Sequence, residues 1–340
     1  MRTRTILCFI SFTLLLGLLA GLVLLFPEHV PFTLPEGRGE RLPVSIRQGM
    51  SARQAAEEFV GAGIIGEKSA KSFSRWMSWF SIDRNLRPGL YHIRKGSSWE
   101  AARQMREAQP EVFSVTLLPG TDVLNFGELL SRVLMTDKDL EELMADEYLF
   151  PQELRPLLPD TAEGRLAFLF PETYRLSFPD ARELVQASAS LWWRQVGSTI
   201  PSNRRDKKTF EELAICASLV EREGRNDTER PRIAGVIENR IRDGMQLQID
   251  ATVVYAWKKE GREITRVLFK DLEIDSPYNT YRVNGLPPAP ICLPSGASWS
   301  AVLNPEGHDY LYYVAKPDGE HLFARDYAEH QRNIKAARSK

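Results

Sequence analysis

From Ile6 to Phe26 no position carries a charge, and Leu, Ile, Phe and Val dominate the run. About 20 apolar residues are enough for a helix to cross a bilayer, so this pattern predicts a transmembrane anchor over residues 6–26. A cleaved secretory signal would show a shorter apolar core and a small-x-small site. Phe26-Pro27-Glu28-His29-Val30 offers no such site. Arg2 and Arg4 precede the run, and the next basic residue is Arg38. The positive-inside tendency makes residues 1–5 a cytoplasmic tail. The anchor is then a single pass through the inner (cytoplasmic) membrane, and the rest of the chain is periplasmic, outside the cytoplasm.

Beyond the run the pattern changes twice. Residues 27–43 carry Pro and Gly without periodicity and read as a linker. Residues 44–112 then mix helical and strand periods. Ser51 is a plausible N-cap for a helix through Val60, with Ala55, Ala56 and Phe59 on one side. Pro88-Gly89 signals a turn into the alternating strand Leu90-Tyr91-His92-Ile93. Ser97 or Ser98 can cap a further helix. This small α+β stretch resembles a LysM-like module, a carbohydrate-binding unit.

Residues 113–335 predict a larger α+β domain. Phe113 to Leu118 alternates partly and ends at Pro119-Gly120, so it reads as an opening strand. Helical stretches follow, with proline-rich interruptions around Phe150 to Asp160. Tyr310–Ala315 and Glu320–Phe323 flank Lys316-Pro317-Asp318-Gly319, which predicts a hairpin. No internal repeat or low-complexity segment is visible.

Composition narrows the function classes. With 43% hydrophobic and 26% charged residues the chain can bury a core. A formal net charge of -1 gives no electrostatic reason to expect nucleic acid. The cluster Arg204, Arg205, Lys207, Lys208 reads as a solvated loop. Cys8 lies in the anchor, leaving Cys216 and Cys292 outside the membrane. They could pair in an oxidising compartment, and a buried free thiol at Cys216 is the simpler reading. No zinc spacing, P-loop or dinucleotide glycine pattern occurs, so no metal and no cofactor is expected.

Candidate chemistry lies between Thr209 and Tyr281. Thr209-Phe210-Glu211-Glu212 fits a capping box, and the helix it opens should stop at Gly224. Apolar residues occupy most of its sides, the mark of a buried helix. Glu221 follows Ala217 by four positions and Ala214 by seven, so it shares their face. Burial there would disfavour the ionised carboxylate, which suits a general acid near neutral pH. Glu223 points about 200° away. A plain alternative stands beside this reading, with both glutamates exposed and solvated at a helix end.

Longer blocks shift the balance. Ala217-Ser218-Leu219-Val220-Glu221-Arg222-Glu223 resembles the signature of the endolytic murein transglycosylase family (YceG-like, or MltG-like). So do the run from Ile237 through Asn239 and Gln246-Leu247-Gln248-Ile249-Asp250 to Tyr255, and Asp275-Ser276-Pro277-Tyr278-Asn279-Thr280-Tyr281. Gly285-Leu286-Pro287-Pro288, Asn304-Pro305 and the Tyr310–Phe323 hairpin extend the likeness, which spans about residues 44–333. Two departures stand out. Ile249 and Ala251 flank the aspartate where the family has Thr and Pro. The family's Glu-Gly pair before Phe-Pro is absent, or displaced to Glu163-Gly164.

The resemblance implies an endolytic lytic transglycosylase, a carbon-oxygen lyase acting on peptidoglycan glycan strands. Such enzymes cut the MurNAc-β-1,4-GlcNAc bond without water and leave 1,6-anhydroMurNAc ends. One glutamic acid serves as acid and then base, so the second carboxylate of ordinary glycosidases is not needed. On this resemblance Glu221 is the catalytic residue. Glu223 orients the site or binds sugar, or is only a charge near a helix end. Asn239, Gln248, Asp250, Tyr278, Asn279 and Thr280 are candidate substrate-binding residues. For each, a cap, a turn or a core hydrogen bond is the competing role. Partners implied are the glycan strands, the membrane and the peptidoglycan synthesis machinery. Two alternatives remain: a non-catalytic peptidoglycan-binding scaffold, and a muramidase that uses water.

Overall fold

The computed structural model describes residues 40–133 and 139–338, together with Gly17. Apart from Gly17, the expected anchor and most of the expected linker lie outside the described residues. Among the described residues no helix is long and apolar enough to cross a membrane. The chain divides into two compact units between Phe113 and Ser114.

The first unit has a β-α-α-β order followed by a third helix. Strand β1 (Arg41–Ile46) pairs antiparallel with β2 (Gly89–Arg94), from Arg41 opposite Arg94 to Ile46 opposite Gly89. Helix α1 (Ala52–Gly61) starts at Ser51, which forms a reciprocal capping box with Gln54. Helix α2 (Ala70–Trp79) has no side-chain cap, and nothing in the local pattern announces it. At α3 (Ser98–Glu107) the cap is Ser97, boxed with Glu100. Ser98 is instead buried, and its hydroxyl donates to that of Ser72. Val44, Ile46, Phe59, Phe73, Met77, Tyr91 and Ile93 form the core between strands and helices. Trp79, at the end of α2, is 78% exposed.

The second unit is mainly helical, with two small two-stranded sheets at its rim. In one, β3 (Phe113–Thr116) pairs with β4 (Thr173–Leu176). In the other, β5 (Tyr312–Ala315) faces β6 (His321–Ala324), with Tyr313 opposite Phe323. Three short helices, α4 (Val123–Val133), α5 (Leu140–Ala145) and α6 (Ala162–Leu166), lead to the longer α7 (Ala181–Gln195). Helix α8 (Lys207–Glu223) runs through the core. Around it pack α9 (Arg230–Arg242), α10 (Asp250–Lys259) and α11 (Gly296–Leu303), and α12 (Tyr327–Arg338) covers the hairpin. Phe168, Trp192, Phe210 and Trp299 meet at one end of α8, with Trp192 and Trp299 edge to face at 5.1 Å.

Both ends of α8 have a physical cause. Its N-cap is Asp206, not Thr209, so the helix begins three residues earlier than the capping-box pattern suggests. The Asp206 carboxylate accepts from the Thr209 N–H at 3.0 Å and from its hydroxyl at 2.6 Å. A carboxylate accepts both at once, where the Thr hydroxyl alone offers one weaker acceptor. At the other end, a Cβ on Gly224 would lie 2.7 Å from Cγ of Arg230. A larger residue there would press on the Arg230 side chain that holds Glu221. Cys216 and Cys292 are both free thiols, and burial pushes the Cys216 thiol up to about 12.

Candidate active site

The last turn of α8 carries two glutamates that face different surroundings. Glu221 points inward, as the Ala214–Ala217 stripe implies, and its side chain is 8% exposed. Its Oε2 accepts from the Ser295 N–H and the Ser298 hydroxyl, both at 2.8 Å, and from Arg230 Nη1 at 3.1 Å. Its Oε1 accepts from Arg230 Nη2 at 3.4 Å. Ser295 is the N-cap of α11, so the carboxylate sits at the positive end of a helix dipole. Arg230 is 9% exposed and also donates to the Ser298 hydroxyl. A guanidinium and a helix N-terminus are the partners of a fixed carboxylate.

Glu223 lies on another side of the turn. It is partly buried, and one oxygen, Oε2, accepts from the Tyr313 hydroxyl at 2.9 Å. Burial pushes its carboxyl above the usual carboxylate range, and the nearby Asp250 adds to that push. The Tyr313 hydrogen bond, His321 and Arg222 pull the other way without cancelling it. A carboxyl whose surroundings favour the protonated form is what a general acid needs. Asp250 opens α10, is exposed, and accepts from the Tyr281 hydroxyl at 2.6 Å. Burial and the Asp250 bond push the Tyr281 phenol up, so it remains a donor.

The elements holding this cluster are tied by Arg240. Its Nε donates to the Leu311 carbonyl and its Nη1 to the carbonyls of Gln246 and Leu247. The hairpin with Tyr313 is thereby locked to the loop that leads into Asp250. In that loop Gln248 is exposed and holds a positive φ of 50°. Its N–H donates to the Thr280 carbonyl at 3.0 Å.

The other expected sugar contacts face inward. Asn239 donates to the carbonyls of His308 and Tyr310, at 2.8 and 3.0 Å. Asn279 is buried and donates to the carbonyls of Leu272 and Ile274, each at 2.9 Å. Thr280 accepts from the Ile249 N–H and meets the Thr252 hydroxyl, each at 2.9 Å. The Tyr278 hydroxyl donates to Glu163 at 2.5 Å, and Lys259 pairs with the same carboxylate. Glu163 thus pins the loop that carries Tyr278 to Tyr281. These four residues brace the site. Tyr313, Tyr281 and Arg240 complete it without having been singled out in the sequence. The one available signal was the tyrosine-rich alternation of the predicted hairpin.

A cavity of about 220 Å³ adjoins the cluster, lined in part by Arg222 and Ala251, the chain neighbours of Glu223 and Asp250. A larger one, about 680 Å³, lies where Ile215, Cys216, Ile237 and Ile241 meet, and none of the candidate residues lines it. Among the described residues no cluster of three or more His, Cys, Asp or Glu side chains could hold a metal ion.

Residues 44–336 match the model of the YceG-like family. A Bacillus subtilis (strain 168) protein named endolytic murein transglycosylase is 31% identical over 303 residues, covering 85% of this chain and 82% of that protein. A Streptococcus pneumoniae protein of the same name (serotype 2, strain D39) is 27% identical over 318 residues. That match covers 86% of this chain but 57% of the pneumococcal protein. A crystal structure of a protein described as yceG-like, from Listeria monocytogenes, superposes with a TM-score of 0.52 at 25% identity. It covers 86% of this chain and 99% of the Listeria chain.

Proposed function

The chain belongs to the YceG-like family, and on that premise we propose that it is an endolytic lytic transglycosylase of peptidoglycan with Glu223 as its acid and base. The observation that carries the assignment is the contrast on one helix turn. Glu223 accepts one hydrogen bond, from Tyr313, and its surroundings favour the proton, whereas Glu221 is held by Arg230, Ser295 and Ser298. Glu221, the residue favoured by the sequence pattern, becomes the clamp that fixes the helix end.

In the reaction the Glu223 proton passes to the oxygen between MurNAc C1 and GlcNAc C4, and the C1–O bond breaks. The GlcNAc leaves with a C4 hydroxyl. The muramoyl C6 oxygen closes onto C1, and its proton returns to the Glu223 carboxylate. Nothing is oxidised and no water is consumed. Gln248 and Asp250, both exposed, are the side chains we assign to sugar hydroxyls and the N-acetyl group. Tyr278, Asn279, Thr280 and Asn239 hold the loops around them.

Residues 6–26 serve as the membrane anchor, which leaves both units outside the cytoplasm and close to newly made strands and the machinery that synthesises them. Residues 44–112 serve as a LysM-like module that holds glycan. Supporting this are the β-α-α-β order and the exposed indole of Trp79, a face on which a sugar ring can stack.

Digestion in heavy-oxygen water tests the chemistry. New muramoyl ends should carry no label and weigh less than hydrolysed ends by one water. A specific observation favours a second reading. Asp250 is an exposed carboxylate close enough to act on the charge of Glu223, and a second carboxylate can activate water. Labelled reducing ends would make the protein a muramidase. No cleavage of purified strands at all would leave a binding scaffold.

A further inference from the structure

We propose that Tyr313 is a positioning residue for the glycan-cleaving acid. It holds Oε2 of Glu223 so that the proton rides on Oε1, and it steadies the carboxylate between donating that proton and taking one back. The proposal rests on the reading of Glu223 as the acid.

The geometry is one-sided. A neutral carboxyl has one O–H oxygen and one carbonyl oxygen, and the carbonyl oxygen is the better acceptor. With the Tyr313 hydroxyl donating to Oε2 at 2.9 Å, carbonyl character is favoured at Oε2 and the acidic proton at Oε1. Tyr313 cannot easily turn away. It lies on β5 opposite Phe323, and its ring stands edge-on to His321 at 5.5 Å. Burial and the neighbouring Glu223 push its phenol well above 10, so it stays a donor across the working range.

The same bond changes strength during turnover. A hydrogen bond to an ionised acceptor is about twice as strong as one between neutral groups. Tyr313 therefore holds Glu223 more tightly after the proton has left than before. An interaction that grows along the reaction coordinate lowers the barrier, while one present equally throughout does not. The other groups facing Glu223 are Asp250 on α10, Tyr281 in the loop before it in space, His321 on β6 and Arg222 on α8. His321 is held by Glu229 at 2.8 Å. Of these groups Tyr313 donates a hydrogen bond to Glu223.

The test compares Tyr313→Phe, 3-fluorotyrosine at position 313, and Glu223→Gln, each in the full chain on purified glycan strands. Tyr313→Phe should lower kcat about tenfold and leave KM within about twofold, since the phenol acts on the acid and not on bound sugar. Because the Tyr313 bond favours the ionised form, its loss should move the alkaline limb of the kcat/KM profile upward. Fluorotyrosine, a stronger donor of the same shape, should move that limb downward. A limb that stays put in both variants overturns the proposal. So does a rise in KM at unchanged kcat. Should Tyr313→Phe fail to fold, the fluorotyrosine shift alone decides. Glu223→Gln separates the two levels: if it still cleaves, the reading of Glu223 fails; if it is dead while both Tyr313 variants behave as wild type, only the role of Tyr313 falls.

Discussion

Two residues apart on α8, Glu221 and Glu223 share a chemistry and almost share a position, yet the molecule treats them in opposite ways. On the inner side the carboxylate meets a buried guanidinium, a serine hydroxyl and a helix N-terminus. On the cleft side the carboxyl meets a phenol and the field of another carboxylate. Both glutamates are partly buried, and burial was the property that marked Glu221 in the sequence. Burial alone does not make an acid. Its effect depends on whether the protein returns in donors and opposite charge what it removes in water. Around Glu221 it does, and the result is a structural joint between α8, α9 and α11. Around Glu223 it does so only in part, and the proton is the group that fills the gap.

The sharpest way to break this comparison is to remove one carboxyl at a time. Glu223→Gln should keep the fold and lose turnover by about 10²–10⁴-fold, the usual worth of general acid help. Retention of more than about a tenth of the wild-type rate on glycan strands would transfer the role elsewhere.

Glu221→Gln should do the reverse. It leaves the buried Arg230 guanidinium with only the exposed Asp227 as counter-charge, a loss of about 3 kcal/mol. In a unit of this size that lowers the melting temperature by about 6–12 °C. Turnover per folded molecule should fall far less than in Glu223→Gln. If instead Glu221→Gln melts like wild type and is inert, the two glutamates exchange roles, and the sequence pattern was the better guide.

Why the pattern could narrow the choice but not make it follows from where the partners sit. Local signals resolved local structure: the Ser51 box, the stop at Gly224 and the Pro-Asp-Gly hairpin are each written within a few residues. The mixed α+β character follows from those signals added together. Arg230 apart, which follows Glu221 by nine positions, the hydrogen-bond partners of the glutamates are remote. Ser295 and Ser298 follow Glu221 by 74 and 77 positions, and Tyr313 follows Glu223 by 90. Helix periodicity gives the face on which a side chain stands and is silent about what faces it. The same limit applies to Asn279 and Thr280. Their residue types suit sugar binding, yet both spend their hydrogen bonds on backbone groups of their own and the adjoining loop. Helix α2 went unseen for a different reason, since Ser69 before it makes no side-chain cap.

Gln248 extends the comparison to the loop beside Glu223. A non-glycine residue at φ 50° costs roughly 1 kcal/mol against glycine, and such strain gathers where a side chain is needed in place. Gln248→Gly should therefore be more stable than Gln248→Ala by about that amount. Both should raise KM for glycan strands, because the exposed carboxamide is gone. An unchanged KM in both would make the conformation a turn requirement and remove Gln248 from the site.

The smallest effect reads the proton on Glu223 directly through stability. Its carboxyl titrates above the ordinary range in the folded protein because burial disfavours the charge, while in the unfolded chain it titrates near 4.3. Between those two values the folded state binds more protons than the unfolded state. Stability linked to this group is therefore full below about pH 4.3 and declines as pH rises towards the folded value. Glu223→Gln has no such proton to lose. Urea unfolding of the two proteins, followed by tryptophan fluorescence, should give matching stabilities at the acid end and a widening advantage for the Gln variant towards neutral pH. The active residue is then one the fold would rather be without. Parallel curves across the whole range would mean that Glu223 ionises as freely as an exposed glutamate, and the contrast with Glu221 would rest on access alone.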